Sequence, residues 1–155
     1  IIKHADALVK VLGDGPDREK LEALAVQLNA PVDFLGYTAY ELMAAYLCAS
    51  DITVNSLVKS AAQSIVTKIG DYLASGNPMI NTGSSPEFRA KVTADGFGAN
   101  VEAEDAQALA DAIAKLAGHA SLRKIMGSKA RAVAEKEFDQ PRAYREIVDL
   151  LRTLL

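Results

Sequence analysis

The chain has 155 residues, half of them hydrophobic, a formal net charge of -3 and a single cysteine. That length suits one domain with a real core, and the charge balance gives no reason to expect nucleic acid or an anionic membrane as partner. Cys48 has no second cysteine to pair with, which excludes an internal disulfide and fits a reducing compartment. No apolar stretch reaches membrane-spanning length and no signal-peptide pattern is read at Ile1, so an ordinary soluble domain is expected.

Strand-like and helix-like segments alternate from the start. Ala7 to Leu12 reads as a strand that stops at the turn GDGP, residues 13 to 16, and Leu21, Leu24, Ala25 and Leu28 then recur at helical spacing. Val32 to Leu35 is the second strand. Thr38 with Glu41 makes a capping-box signal for a helix through Leu42, Ala45, Tyr46 and Ala49, and Ile52 to Val54 follows as a strand. The next helix is expected from near Ser64 to Gly76, a residue that can take a left-handed cap.

Pro78 to Asn81 is another strand, with proline at its first residue, where it loses least hydrogen bonding. SSPE, residues 84 to 87, offers a serine cap and a first-turn proline for a short helix to about Lys91. GFGANV, residues 96 to 101, is a turn and a last short strand. Leu109, Ile113 and Leu116 mark a helix ending at Gly118, and Leu122, Ile125, Met126 and Val133 mark another, for which Ser121 is the expected N-cap. Tyr144, Ile147, Val148, Leu151 and Leu154 form the apolar stripe of a final helix. Short strands alternating with helices predict an α/β domain, a Rossmann-like, mostly parallel sheet with helices on both faces.

In such a sheet a ligand lies beyond the C-terminal ends of the strands, so the candidate loops are Gly13 to Pro16, Gly36 to Tyr37, Asn55 to Ser64 and Thr82 to Ser85. Gly13 and Gly15 do not complete a dinucleotide fingerprint, because Arg18 stands where the third glycine belongs, and no Walker lysine follows. Asp14 would also repel a phosphate held in the turn. Two readings stay open there: a sharp connection into a helix, or a turn that also touches ligand. Ser64, Lys68 and Asp71 are spaced by four and three along one helical face, with Ile65, Ile69, Tyr72 and Leu73 opposite. Amides at Ser64 and Ile65 with the Lys68 charge could hold a diphosphate, and Asp71 could accept from ribose hydroxyls. The plainer alternative is a solvated Lys68–Asp71 pair.

Other chemistry is thin. His4 and His119 lack metal-ligand neighbours, so no metal site is expected. Cys48 is expected in a buried structural role and Met43, Met79 and Met126 as core filling. Asp14 and Asp17 fit a turn and the start of a helix.

The segments GDGPDREKLEALA, VDFLGY, SDITVNS and above all TKIGDYLASGNPMINTGSSPE occur in the order found in the C-terminal, donor-binding domain of GT-B glycosyltransferases of the large retaining family 4, which the chain resembles over nearly its whole length. Many members of that family carry two glutamates eight positions apart, the second on ribose. Asp71 matches the second position and Gln63 the first, so the chain resembles a divergent branch with a Lys-x-x-Asp/Glu-Tyr pattern. By this resemblance Gln63 faces the donor sugar, Lys68 the diphosphate and Asp71 the ribose, while the base is read by backbone near Gly36.

The implied chemistry is transfer of a sugar from a UDP- or GDP-type donor to a glycan or lipid-linked acceptor with retained configuration, without a metal required by this domain, in the cytoplasm or at the inner face of a membrane. Lys68 and helix-terminal amides would stabilise the departing diphosphate. No catalytic acid or base is assigned, and the resemblance implies that acceptor-side groups lie in an N-terminal domain outside these residues. It also implies an opening central strand, for which Ile1 to Asp6 is too short and too polar. Two other classes remain: a nucleotide-sugar epimerase domain, and a noncatalytic nucleotide-binding or interaction module.

Overall fold

The computed structural model describes residues 7–61 and 67–154. The first half runs β1 (Val9–Leu12), α1 (Arg18–Gln27), β2 (Val32–Gly36) and α2 (Tyr40–Ala49). The second runs β3 (Thr53–Asn55), α3 (Ile69–Ala74), β4 (Met79–Asn81), α4 (Pro86–Asp95), β5 (Gly98–Asn100), α5 (Ala106–Ala117), α6 (Ala120–Glu137) and α7 (Gln140–Leu154). Every strand pairing among the described residues is parallel, as the alternation predicts. The strands form two ladders, β1–β2 and β3–β4–β5, and no described strand joins β1 to β3. Ile1 to Asp6, too short and too polar for the opening central strand that the resemblance implies, lie outside the described residues.

The core belongs to the second half. Side chains alternate across a strand, so Met79 and Ile80 point to opposite faces of β4. On the Met79 face Ile69 and Leu73 of α3, Phe88 and Val92 of α4, and Ala130, Val133 and Ala134 of α6 close round Phe97. On the Ile80 face Val101 and Leu116 are buried, with Leu109 and Ile113 of α5 and Leu122 and Met126 of α6 packed against them. The long α6 therefore serves both layers, its beginning on one face and its end on the other. Gly98 lets β5 approach β4, because a Cβ there would run into the Met79 carbonyl.

Several local signals act as the sequence predicts. The Ser85 hydroxyl accepts from the Phe88 amide with Pro86 in the first turn, whereas α4 continues past the expected end near Lys91 to Asp95, where Gly96 closes it in the left-handed region. Gly76 follows α3 with φ of 74°. Other signals are overruled. Thr38 does not cap α2: the helix begins one residue later behind Ala39, and the Thr38 hydroxyl donates to the Gly36 carbonyl at 3.2 Å. Ser121 lies inside the first turn of α6, whose N-cap is His119. Cys48 is exposed rather than buried, because the side of α2 that carries it has no described element over it.

Candidate functional site

The loops after β1 and β2 meet at one edge. The Gly13 amide donates to the Gly36 carbonyl at 2.7 Å, holding the two turns together. Gly13 and Gly36 both take positive φ, 122° and 69°, which glycine adopts without the steric cost of a Cβ. A Cβ on Gly36 would come within 2.7 Å of the Arg18 guanidinium, the movable end of a long side chain, so the positive φ is the firmer reason for glycine there. Arg18 is in turn committed to Glu22 at 2.7 Å and to the Phe34 carbonyl at 3.3 Å. A hollow of about 250 Å³ lies here, bordered by Leu12, Gly13, Gly15, Arg18, Leu21 and Phe34. Asp14 folds back on its own turn, accepting from the amide of the next residue, Gly15, at 2.9 Å. Tyr37 stands out from the edge, 89% exposed.

Helix α3 sets the other wall. Ile69 and Leu73, one turn apart, are fully enclosed in the core. Gly70 lies against the Phe138 ring, where a Cβ would approach to 3.2 Å. With that face pinned, Lys68 at the N-cap and Asp71 in the first turn are turned toward the surface. They do not pair with each other. One Asp71 oxygen accepts from the Tyr40 hydroxyl at 3.0 Å, a contact that bridges α2 to α3. The Lys68 ammonium lies 5.6 Å from the centre of the Tyr72 ring, within the range of a cation–π contact. Burial pushes the Lys68 pKa down, with no carboxylate offsetting it. The bond to Asp71, then its charge, raises the Tyr40 phenol; burial and the Asp71 charge raise Tyr72.

Beneath this wall the strands end in a ladder of amides. Asn55, Asn81 and Asn100 are in register across β3, β4 and β5. Asn55 donates to Asn81 at 2.9 Å and Asn81 to Asn100 at 3.0 Å. Asn100 donates to the Arg89 carbonyl at 2.8 Å. That carbonyl can only accept, so it fixes the direction of the whole chain of amides. The Gly83 amide donates to Asn81 Oδ1 at 3.0 Å, and the Leu57 amide to Thr82 Oγ1 at 2.7 Å. The loops after β3 and β4 are thus fastened to buried polar groups.

The structure accordingly brings Gly13 to Gly36 and holds Asp71 and Lys68 on one short stretch. Gln63, Ser64 and Ile65 lie outside the described residues, and the described part of the helix expected from Ser64 begins at Ile69. Tyr40 and the amide ladder are absent from the sequence reading. Tyr40 carries no motif, but the ladder had a signal: three strands closing in TVN, MIN and GAN. Among the described residues no group of three or more His, Cys, Asp or Glu could hold a metal, and no helix is long and apolar enough to cross a membrane.

The fold has close structural relatives at low sequence identity. Anabaena HepE, solved in complex with UDP, superposes with a TM-score of 0.80 at 19% identity, over 95% of this chain and 41% of HepE. Sucrose-phosphate synthase from Thermosynechococcus elongatus gives 0.78 at 23% identity, over 94% of this chain and 38% of its own. WaaG, a glycosyltransferase of lipopolysaccharide biosynthesis, gives 0.67 at 22% identity, over 84% and 34%. This chain thus spans less than half the length of these relatives. No curated protein sequence matches it significantly. The fold is one half of a GT-B architecture, and residues 1–119 match the profile of the glycosyl transferases group 1, the family to which this chain belongs.

Proposed function

We propose that these residues form the C-terminal, donor-binding half of a retaining glycosyltransferase in glycan or polysaccharide synthesis, and that the site takes a nucleoside diphosphate sugar of the UDP or GDP type. The carrying observation is the state of Lys68 and Asp71. Lys68 is a partly buried cation without a described carboxylate partner, three residues from a carboxylate with one oxygen held by Tyr40 and the other not engaged by a described donor. An anion beside Lys68 offsets the cost of its burial, as a diphosphate would. A carboxylate accepts from two vicinal hydroxyls, as ribose presents them. The neighbouring HepE structures contain UDP and UDP-glucose, which supports the same ligand class for this fold.

In the reaction the glycosidic bond to the leaving diphosphate lengthens as negative charge gathers on its oxygens. Lys68, with the Ser64 and Ile65 amides implied by the resemblance, stabilises that charge more in the transition state than in the bound donor. Asp71 fixes the ribose, Gln63 faces the sugar, and the loops at Gly13, Gly15, Gly36 and Tyr37 border the rest of the nucleotide. The groups that place the acceptor oxygen are assigned to the N-terminal, acceptor-side domain that the resemblance implies. The domain itself requires no metal, and the enzyme works in the cytoplasm or at the inner face of a membrane.

The test is a screen of the full-length protein against nucleotide sugars, following free nucleoside diphosphate and the anomeric configuration of the product. Transfer with retention is expected, whereas an inverted linkage rules out the proposed chemistry. Calorimetry then assigns the wall: Asp71→Ala weakens a nucleoside diphosphate more than inorganic diphosphate, and Lys68→Ala weakens both. Wild-type affinity of both variants for both ligands would reject the site.

A further inference from the structure

We infer that Tyr40 is a positioning residue for nucleotide recognition, holding the Asp71 carboxylate in the rotamer that presents its free oxygen to a ribose; the inference rests on the ribose role proposed for Asp71. The geometry is specific. The Tyr40 hydroxyl donates to one Asp71 oxygen at 3.0 Å, across a separation of 31 residues. A carboxylate bound through one oxygen keeps the acceptor sites of the other.

The two residues approach the contact from unlike supports. Asp71 sits on a helix whose opposite side is enclosed at Ile69 and Leu73, so its backbone has little freedom. Its side chain has no other described hydrogen-bond or ion-pair partner, and without Tyr40 it would turn among its rotamers in water. Tyr40 opens α2 directly after the Gly36–Tyr37 loop and is 63% exposed. Its ring supports no core, so the hydroxyl rather than packing accounts for its side-chain contact with α3. A second bridge, Asn77 Nδ2 to the Leu47 carbonyl at 2.7 Å, holds the far end of α2 to the turn that follows α3. Removing the Tyr40 hydroxyl therefore leaves the two helices docked.

The contact also links two walls of the site. The loop after β2, which the family resemblance assigns to the base, and the carboxylate assigned to the ribose are joined through one side chain.

The experiment uses the full-length protein and whichever of UDP or GDP it binds, alongside the 2′,3′-dideoxy analogue and inorganic diphosphate. Tyr40→Phe is expected to weaken the nucleoside diphosphate about threefold to tenfold, the range of an ordinary net hydrogen bond, because the lost contact positions the carboxylate and is not itself made to the ligand, and to leave the dideoxy analogue and inorganic diphosphate at wild-type affinity. In an Asp71→Ala background the same substitution is expected to have no further effect. In turnover the KM for donor rises while kcat holds. A purely structural tyrosine would shift all three ligands together or none. Unchanged affinity of Tyr40→Phe for the nucleoside diphosphate, an equal loss for the dideoxy analogue, or a loss that persists without Asp71 overturns the inference. If Asp71→Ala itself keeps wild-type selectivity, the ribose reading fails and the role of Tyr40 falls with it. That outcome differs visibly from one in which Asp71→Ala discriminates and Tyr40→Phe does not.

Discussion

Leu24 and Leu73 both lie on the inward stripe of a helix beside a parallel strand, yet Leu73 is fully enclosed and Leu24 is 45% exposed. The difference extends to whole halves. Between residues 7 and 51 only Gly36 is buried, and neither α1 nor α2 has an enclosed side chain. From Thr53 onward both faces of the sheet are closed by helices, with Phe97, Ile69 and Met79 among the residues at zero exposure. Apolar periodicity tells which face of a helix turns inward, and it is silent on what covers that face. The second half supplies its own cover through α5 and α6; the first half, flanked by edges of β1 and β3 that no described strand pairs, does not.

The sharpest way to test that contrast is to remove apolar bulk from the closed half. Phe97→Ala empties an enclosed site and is expected to cost about 3–5 kcal/mol in urea unfolding. Asn81→Ala comes next. It strands the Asn55 amide, the Gly83 amide and the Asn100 carbonyl oxygen below the crevice, with an expected loss of about 2–3 kcal/mol. Hydrogen exchange should show the same order without mutation, β4 amides exchanging near the global unfolding free energy and β1 amides well below it. Equal protection of β1 and β4 would show that the halves form one cooperative unit and break the contrast.

Lys68 lies at the margin of the closed half, and there function and stability pull apart. Burial holds its pKa below the ordinary value in the folded state, so the unfolded chain binds that proton more tightly. The burial penalty is fully present below the folded pKa and is relieved as pH rises through it, making stability increase with alkaline pH over that window. Lys68→Met should abolish that rise and slightly raise the unfolding midpoint at neutral pH. The same variant should weaken diphosphate binding by about tenfold, near the worth of one charge-assisted bond. The smallest effect is expected in the open half: Val26→Ala, at 82% exposure, should change stability by no more than about 0.5 kcal/mol.

Most of the element order was legible because its signals are local. Ser85, Pro86 and Gly118 act within one turn of where they stand, and the structure uses them at the helix ends the sequence assigns. What failed depended on distant groups. The Thr38 hydroxyl had a carbonyl within reach, that of Gly36, and took it in place of a cap. Cys48 is exposed because nothing described lies over its side of α2, a fact no pattern within α2 contains. Asp71 was visible through its spacing from Lys68 and its family-like segment. Its partner Tyr40 was not, because 31 residues separate them and a tyrosine at a helix start has many uses. The apolar stripe of α7 is the intermediate case: its periodicity is real, and none of its residues is buried.

Gly127 stands in the middle of α6, and a Cβ there would run into the Gly76 carbonyl. A glycine inside a helix ordinarily costs about 0.5–1 kcal/mol relative to alanine, and helix glycines are the usual first targets when a protein is made more heat-resistant. Here the exchange would lever α6 off the bend between α3 and β4, and α6 is the helix shared by both layers of the core. Gly76 is held to glycine independently by its left-handed backbone. Neither position can drift while the other compensates. A library aimed at raising the melting temperature of this domain should leave both untouched and spend its diversity on the open faces of α1 and α2.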